Sequence, residues 1–387
     1  MIIPGDLQDL RDLTRRFVQR ELLPLEQQLL DEDDLPETVW RGLTEKSVGL
    51  GLYALGVPEE FGGAGIGILG QTLVAEEMGQ VAVGFRHLAG APVGANSIIR
   101  FGTQWQRETY ARPLTNGAQR CGWGATEPGA GSDLGGIRTT ARREGDCWVI
   151  DGAKHYMTGA DHYDFMICFA LTDAARGLHG GLTAFILEKT LPGFQIGRRM
   201  RMMGREGLHS YEIFFDELRV PDANRLGDVG AAYPILMDQV HEMRLLMGGT
   251  CVGTAERLLR LAADHARHRV QFGRPIGRFQ AIQWMLADSA IEIEAARALT
   301  LEAAAKLDAG QDAAVETAMV KAFASEMVGR VADRSLQIHG GAGYCKDLPI
   351  ESIYRSVRLF RVAEGTTEIQ RTIIARSLLK HGPPVLF

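Results

Sequence analysis

Phe360-Arg361-Val362-Ala363-Glu364-Gly365-Thr366-Thr367-Glu368-Ile369-Gln370-Arg371 sets one acid beside a glycine and two hydroxyl residues, at the mouth of an apolar-periodic run. Ile369, Ile373, Ile374 and Leu378 continue that run, so the spacing predicts a helix that Thr366 or Thr367 caps. A glutamate held among apolar neighbours has a raised pKa and can act as a base near neutral pH. Gly365 lets the backbone turn or approach a ligand closely. A capped surface helix with a solvated acid carries the same short pattern, so these residues need a second segment beside them.

That segment is Ala125-Thr126-Glu127-Pro128-Gly129-Ala130-Gly131-Ser132-Asp133, far upstream. Its glycines leave backbone N–H groups free to face an anion, and Thr126 and Ser132 add hydroxyls. A concave backbone of this kind can hold a pyrophosphate or the edge of an oxidised flavin. An ordinary polar loop has the same composition, and both readings stand on these residues alone. Gly63-x-Gly65-x-Gly67 lacks a preceding strand and a Lys-Ser/Thr end, so it reads as a turn and not as a nucleotide fingerprint.

Outward from these segments the pattern has three parts. Near the start, Leu10, Leu13, Phe17 and Leu22 recur at near-helical spacing among charges, and Thr72 to Met78 reads as helix again. The middle changes to short apolar runs, Trp148-Val149-Ile150, Phe165 to Ala170 and Leu182 to Leu187, punctuated by Gly and Asp. Tyr211, Ile213 and Phe215 alternate with Glu212, although Phe214 is also apolar; these are strands of a small barrel or sandwich. Later, Ile282, Met285, Leu286, Ser289, Ile293, Ala296 and Thr300 mark one face of a long helix, and Ala318 to Leu336 forms another. The chain reads as α+β, multidomain and mostly α: an N-terminal helical domain at 1–118, a middle β-barrel or sandwich domain at 119–225 and a C-terminal helical bundle at 226–387.

Composition bounds the function. The 387 residues exceed one ordinary core, and 45% hydrophobic with 23% charged residues is a soluble globular balance. A net charge of −6 gives no reason to expect nucleic acid. No apolar run reaches the length of a membrane span. Met1-Ile2-Ile3-Pro4-Gly5-Asp6 lacks the basic and apolar parts of a secretory signal. The five cysteines are scattered without metal-ligand spacing, which fits reduced thiols in a cytoplasm.

Read together, the two segments resemble the acyl-CoA dehydrogenase family of flavoenzymes, and the resemblance extends over nearly the whole chain. It is carried further by Pro58-Glu59-Glu60-Phe61-Gly62-Gly63, Asp151-Gly152-Ala153-Lys154 and Phe214-Phe215-Asp216 leading to Arg219-Val220-Pro221. Near the end come Arg269-Val270-Gln271-Phe272-Gly273-Arg274-Pro275-Ile276 and Gln337-Ile338-His339-Gly340-Gly341. The resemblance implies a C-terminal four-helix bundle and FAD as cofactor. It implies that Trp123, Ala125, Thr126, Gly131 and Ser132 line the flavin, with Ser132 also close to CoA, and that Tyr156 and Thr158 continue that site. Many family members carry Trp where this chain has Tyr156, which can still stack on the ring. Arg269, Gln271, Phe272, Phe279, Gln280, Gln337, Gly340 and Gly341 match residues that reach the FAD of a neighbouring subunit, so the resemblance implies a homo-oligomer, a tetramer in the family. The resemblance places Thr366 and Glu368 with the same cofactor, and His241, Arg244 and Gly365 with the substrate.

The resemblance also implies the reaction: removal of two hydrogens from a saturated acyl-CoA to give the trans-2-enoyl-CoA. It needs a base for the α-proton, a hydride acceptor and hydrogen bonds on the thioester oxygen. Glu364 is the candidate base and flavin N5 the acceptor; in the family the oxygen is held by the backbone N–H of this Glu and a ribityl hydroxyl. Some members place the base just before the arginine that matches Arg244, but here that residue is Met243, and Glu242 lies about 100° away around a helix. Electrons are expected to pass to an electron-transfer flavoprotein. An acyl-CoA oxidase, an enoyl-CoA reductase, a flavin monooxygenase and a non-catalytic flavin- or CoA-binding partner share the fold and stay open as alternatives. His265 and His268 lack a third metal ligand, Glu292 and Glu294 point roughly 200° apart, and Arg86 and His87 sit where the family lines its acyl pocket, to meet a polar acyl tail or to form a surface loop.

Overall fold

In the computed structural model, which describes residues 3–382, helices, strands and helices follow one another along the chain. The helix Gly5–Phe17 runs through one π-helical turn, Val18–Leu22, into Leu23–Glu32, and Glu37–Gly49, Ile68–Met78 and Ala95–Phe101 complete the main N-terminal helices. Phe17, Leu22, Leu29, Trp40, Leu43, Val74, Phe85 and Leu88 interlock as their core. The Gly63–Gly67 run turns the chain into Ile68–Met78. The Asp308 carboxylate, from the bundle, accepts the Ile68 and Leu69 N–H groups at 2.7 and 2.9 Å and so caps that helix. A Cβ at Gly67 would meet this carboxylate at 2.7 Å, which accounts for the glycine.

Eight strands follow: β1 Cys121–Gly124, β2 Thr140–Glu144, β3 Cys147–Thr158, β4 Phe165–Leu171, β5 Leu182–Glu188, β6 Phe194–Arg199, β7 Ser210–Pro221 and β8 Arg225–Leu226. They pair in the order β6-β7-β3-β2-β4-β5-β8, with β1 beside β4. β2 and β4 share only the Thr140–Leu171 pairing, and across that seam β3 and β7 pack onto β4 and β5. β4 is buried on both faces. Met166, Cys168 and Ala170 enter the core shared with Ile150, Ile213 and Leu218. Phe165, Ile167 and Phe169 pack the other way, onto Ile98, Tyr110, Ile235 and Leu236. This double burial is why β4 reads as a continuous apolar run.

The long helices Ala232–His268, Gln280–Asp308 and Ala314–His339 pack with Thr367–His381 as a bundle, and Ile350–Val357 lies against it. Val252, Ala255, Ile293, Ala296, Met327, Val331 and Phe360 fill its interior. Ile68–Met78 meets Ala232–His268 backbone to backbone. A Cβ at Gly249 would lie 2.6 Å from the Thr72 carbonyl oxygen, and one at Gly253 would lie 1.7 Å from that of Glu76.

Candidate active site

Glu364 sits between the 3₁₀ turn Arg358–Arg361 and the helix Thr367–His381, with φ of 56°. Side chains from three helices fix the two carbonyls beside it. The Arg244 Nε–H donates to the Glu364 carbonyl at 2.8 Å, and the Lys321 ammonium donates to the Gly365 carbonyl at 2.6 Å. Gln370 donates to both, at 3.2 and 3.0 Å. Among the described residues the Glu364 N–H finds no acceptor within the chain. Thr366 caps the following helix, its hydroxyl accepting the Ile369 N–H at 3.4 Å, and Glu368 is exposed on the first turn. A Cβ at Gly365, where φ is 85°, would press on Gln370 and Arg244 at 2.8 and 3.0 Å.

The Glu364 carboxyl is half-buried, and burial raises its pKa above the usual carboxylate range although Arg86, Arg244, Lys321 and Arg205 all pull it down. Lys321 is fully buried, and burial lowers its pKa to about 8. His241 is half-buried one helical turn before Arg244. Glu242 is turned toward Asn96 and Arg100, away from this loop. Arg205 and Lys321 are absent from the residues singled out in the sequence. Lys321 left a signal there, as a cation on the buried face of the Ala318–Leu336 helix; Arg205, in a turn between Gly204 and Glu206, left none.

Arg86 lines a cavity of 30 Å³ with Val81, Glu206, Thr250, Ser356 and Phe360 among its walls. The Arg205 N–H donates to the hydroxyl of Ser356 in that wall at 3.2 Å. The Arg205 guanidinium is 8% exposed, and its Nε and Nη2 have no partner among the described residues.

The strand side is built around Glu127. This buried acid accepts the N–H groups of Arg138 and Thr139 at 2.7 and 3.1 Å and the Lys154 ammonium at 2.7 Å. Burial works to raise the Glu127 pKa, but the Lys154 charge and these hydrogen bonds outweigh it and hold the carboxyl low. Lys154 also donates to the Phe169 carbonyl, so one ion pair ties the 125–133 loop to β3 and β4. The Thr126 carbonyl accepts the His155 N–H at 2.9 Å. Trp123 packs its ring on Phe169, 5.0 Å between centroids, and its buried indole N–H has no partner among the described residues. Ala125 is half-buried, while Gly131 and Ser132 are exposed at the loop's outer edge. Tyr156, 60% exposed with φ of 58°, stacks on His155, and the Thr158 hydroxyl lies 3.2 Å from that of Ser210. An orphaned indole donor, an aromatic face turned outward and open backbone at Gly129 and Gly131 fit a flavin nucleotide laid along this loop.

The remaining residues form a separate group at the far end of the bundle. Arg269, Gln271 and Phe272 lie on the two-stranded turn at Val270–Pro275, where Phe272 is 93% exposed. Phe279 stands edge-on to Phe272, and Gln280 is exposed beside it. His265 against His339, 4.6 Å between ring centroids, brings Gln337, Gly340 and Gly341 to the same end. His268 is spent on the Asp264 carbonyl, Glu292 on Arg330 and Arg334, and Glu294 on Arg297.

Known proteins carry the same architecture. Family models match residues 5–118 (acyl-CoA dehydrogenase, N-terminal domain), 122–218 (middle domain) and 233–379 (C-terminal domain). The chain is 37% identical over 374 residues to an acryloyl-CoA reductase (NADH) of Anaerotignum propionicum, covering 96% of this chain and 94% of that one. It is 37% identical over 372 residues to an acyl-CoA dehydrogenase of Bacillus subtilis, covering 96% and 97%. The butyryl-CoA dehydrogenase structure from Megasphaera elsdenii superposes with a TM-score of 0.92 at 32% identity, covering 98% and 99%. Glu364 on its pinned loop, the buried pair under the 125–133 loop and the three matched domains lead to one conclusion: the chain belongs to the acyl-CoA dehydrogenase family.

Proposed function

We propose that this flavoenzyme removes two hydrogens from a saturated acyl-CoA to give the trans-2-enoyl thioester, with Glu364 taking the α-proton. The observation that carries the reading is the pinned loop. It holds a carboxyl of raised pKa beside a free backbone N–H, the base and the oxyanion donor that this reaction asks for. Arg244, Lys321 and Gln370 hold the carbonyls of Glu364 and Gly365, so the N–H and the carboxyl of Glu364 keep one orientation toward the thioester. His241 and Ser132 border the bound acyl-CoA in this reading.

The cofactor is FAD. Trp123, Ala125, Thr126, Gly131, Ser132, Tyr156, Thr158, Thr366 and Glu368 would hold it from this chain. Arg269, Gln271, Phe272, Phe279, Gln280, Gln337, Gly340 and Gly341 would reach the FAD of a neighbouring copy, which supports a homo-oligomer and, within this family, a tetramer. When bound, FAD supplies the hydride acceptor for the β-hydrogen, which no side chain can supply. An electron-transfer flavoprotein is the proposed electron acceptor. The similarity to an acryloyl-CoA reductase makes the reverse direction the competing reading.

Titration of the purified holoprotein without oxygen against saturated acyl-CoAs tests the direction. Bleaching of the flavin band supports dehydrogenation, and a flavin that stays oxidised with every saturated chain favours the reductase. Glu364→Gln should keep its flavin and bind acyl-CoA while kcat falls about 10²–10⁴-fold. Near-normal turnover in that variant would sink the assignment of the base.

A further inference from the structure

Among the described residues, two cations at the cavity have no side-chain partner. Arg205 is nine-tenths buried with two guanidinium nitrogens unsatisfied, and Arg86 forms part of the cavity wall. A buried charge without a counter-charge is costly. The carboxylates of the wall are already committed: Glu26 to Arg257, and Glu206 to Arg355 and the Ser352 hydroxyl. Among the described residues, Glu364 is the one remaining acid whose field reaches both arginines. It cannot serve as their lasting counter-ion, because taking the α-proton removes its charge during turnover. Burial lowers the pKa of both guanidinium groups, to about 9 for Arg205, so these cations are poorly compensated. The cavity also limits what can enter. At 30 Å³ it is small beside the roughly 150 Å³ that holds a benzene molecule, so a long apolar tail has no room there.

We propose that Arg205, together with Arg86, receives a carboxylate at the far end of the acyl chain, so that the substrate is the CoA monothioester of a short dicarboxylic acid. This rests on the acyl-CoA dehydrogenase reading above. Guanidinium groups suit a carboxylate because their forked donors match its two oxygens. The incoming charge would satisfy the orphaned nitrogens of Arg205 and remain in place while Glu364 is neutral.

The test uses the holoprotein and pairs of thioesters of equal chain length, four to six carbons, one ending in a carboxylate and one in a methyl group. In the wild type the carboxylated member should have the higher kcat/KM, by about 10–100-fold, as expected for charge-assisted hydrogen bonds. Arg205→Met and Arg86→Gln should each shrink that ratio, mainly through KM for the carboxylated member. The ratio is taken within each variant, so a general loss of activity cancels. Equal kcat/KM for the two members in the wild type, or a ratio untouched by Arg205→Met, overturns the proposal. If neither series reduces the flavin, the dehydrogenase reading fails and takes this one with it. Reduction by the methyl-ended series alone overturns the carboxylate site and leaves the dehydrogenase intact.

Discussion

The Glu364 carboxyl is pulled in opposite directions by its surroundings. Burial favours the neutral acid, while Arg86, Arg244, Lys321 and Arg205 favour the carboxylate, and burial prevails. The proposed base works only when deprotonated, so kcat/KM should fall with decreasing pH through a limb that lies above the ordinary value of 4.5. Arg205→Met removes one of the opposing cations and should move that limb to higher pH, as a pH–rate profile would show. Stability has a related sign. A carboxyl whose folded pKa is raised stabilises the fold below its unfolded pKa, and that contribution is lost as pH rises through the folded pKa. Glu364→Gln should therefore melt at a higher temperature than the wild type at neutral pH, and the difference should close in acid; an unchanged or lower Tm at neutral pH counts against a strained base. In the sequence, Glu364-Gly365-Thr366 stood out as consecutive residues, and Arg244 through the family resemblance alone. The charge around the loop was hidden: Lys321 and Arg205 lie far from Glu364 along the chain, and only packing brings their charge to it.

Among the elements, β3 connects the strand domain to the loop above it. Its Lys154 reaches inward, fully buried, to Glu127 on the loop and to the Phe169 carbonyl on β4. Removing one member of a buried pair leaves an uncompensated charge, so Lys154→Met should cost roughly 3–5 kcal/mol. Because Glu127 also holds the N–H groups of Arg138 and Thr139, the loop should loosen and flavin per chain should fall. Denaturant unfolding and the flavin-to-protein absorbance ratio together check this, and a stable variant that keeps full flavin would refute the anchoring role. The apolar runs behind β3, β4, β5 and β7 were legible because burial on one or both faces writes a plain pattern. β7 explains the irregular Phe214-Phe215 pair: Phe215 enters the core while Phe214 is 41% exposed. β1, β2 and β6 were not legible. Cys121-Gly122-Trp123-Gly124 is half glycine, and Thr140–Glu144 and Phe194–Arg199 are largely exposed, with charges where a core strand would carry apolar residues.

On the scale of the whole molecule, the chain turns large apolar side chains toward its surroundings. Phe272 is 93% exposed, Leu379 89%, Ile291 68% and Trp284 60%. Burying one such side chain against a second copy is worth about 1.5–3 kcal/mol. Phe272→Asp should shift the assembly toward smaller species and weaken flavin retention at the same time, read by light scattering and by the flavin-to-protein ratio. Unchanged mass with unchanged flavin would refute a shared site. The order of helices, strands and helices was readable from the periodicities, but the meeting of their surfaces was not, because contacts between backbones leave only scattered glycines in a sequence. Gly249 and Gly253 are such a trace. Their contact with Thr72 and Glu76 lies between the helices that contribute Met78, Thr250 and Thr254 to the cavity that Arg86 lines. That side of the cavity cannot be widened or narrowed by exchanging side chains at the crossing, since even one methyl group there would force the helices apart. Change in the cavity's shape is therefore channelled to its other wall, where Ser352 and Ser356 stand on the helix Ile350–Val357, outside that crossing.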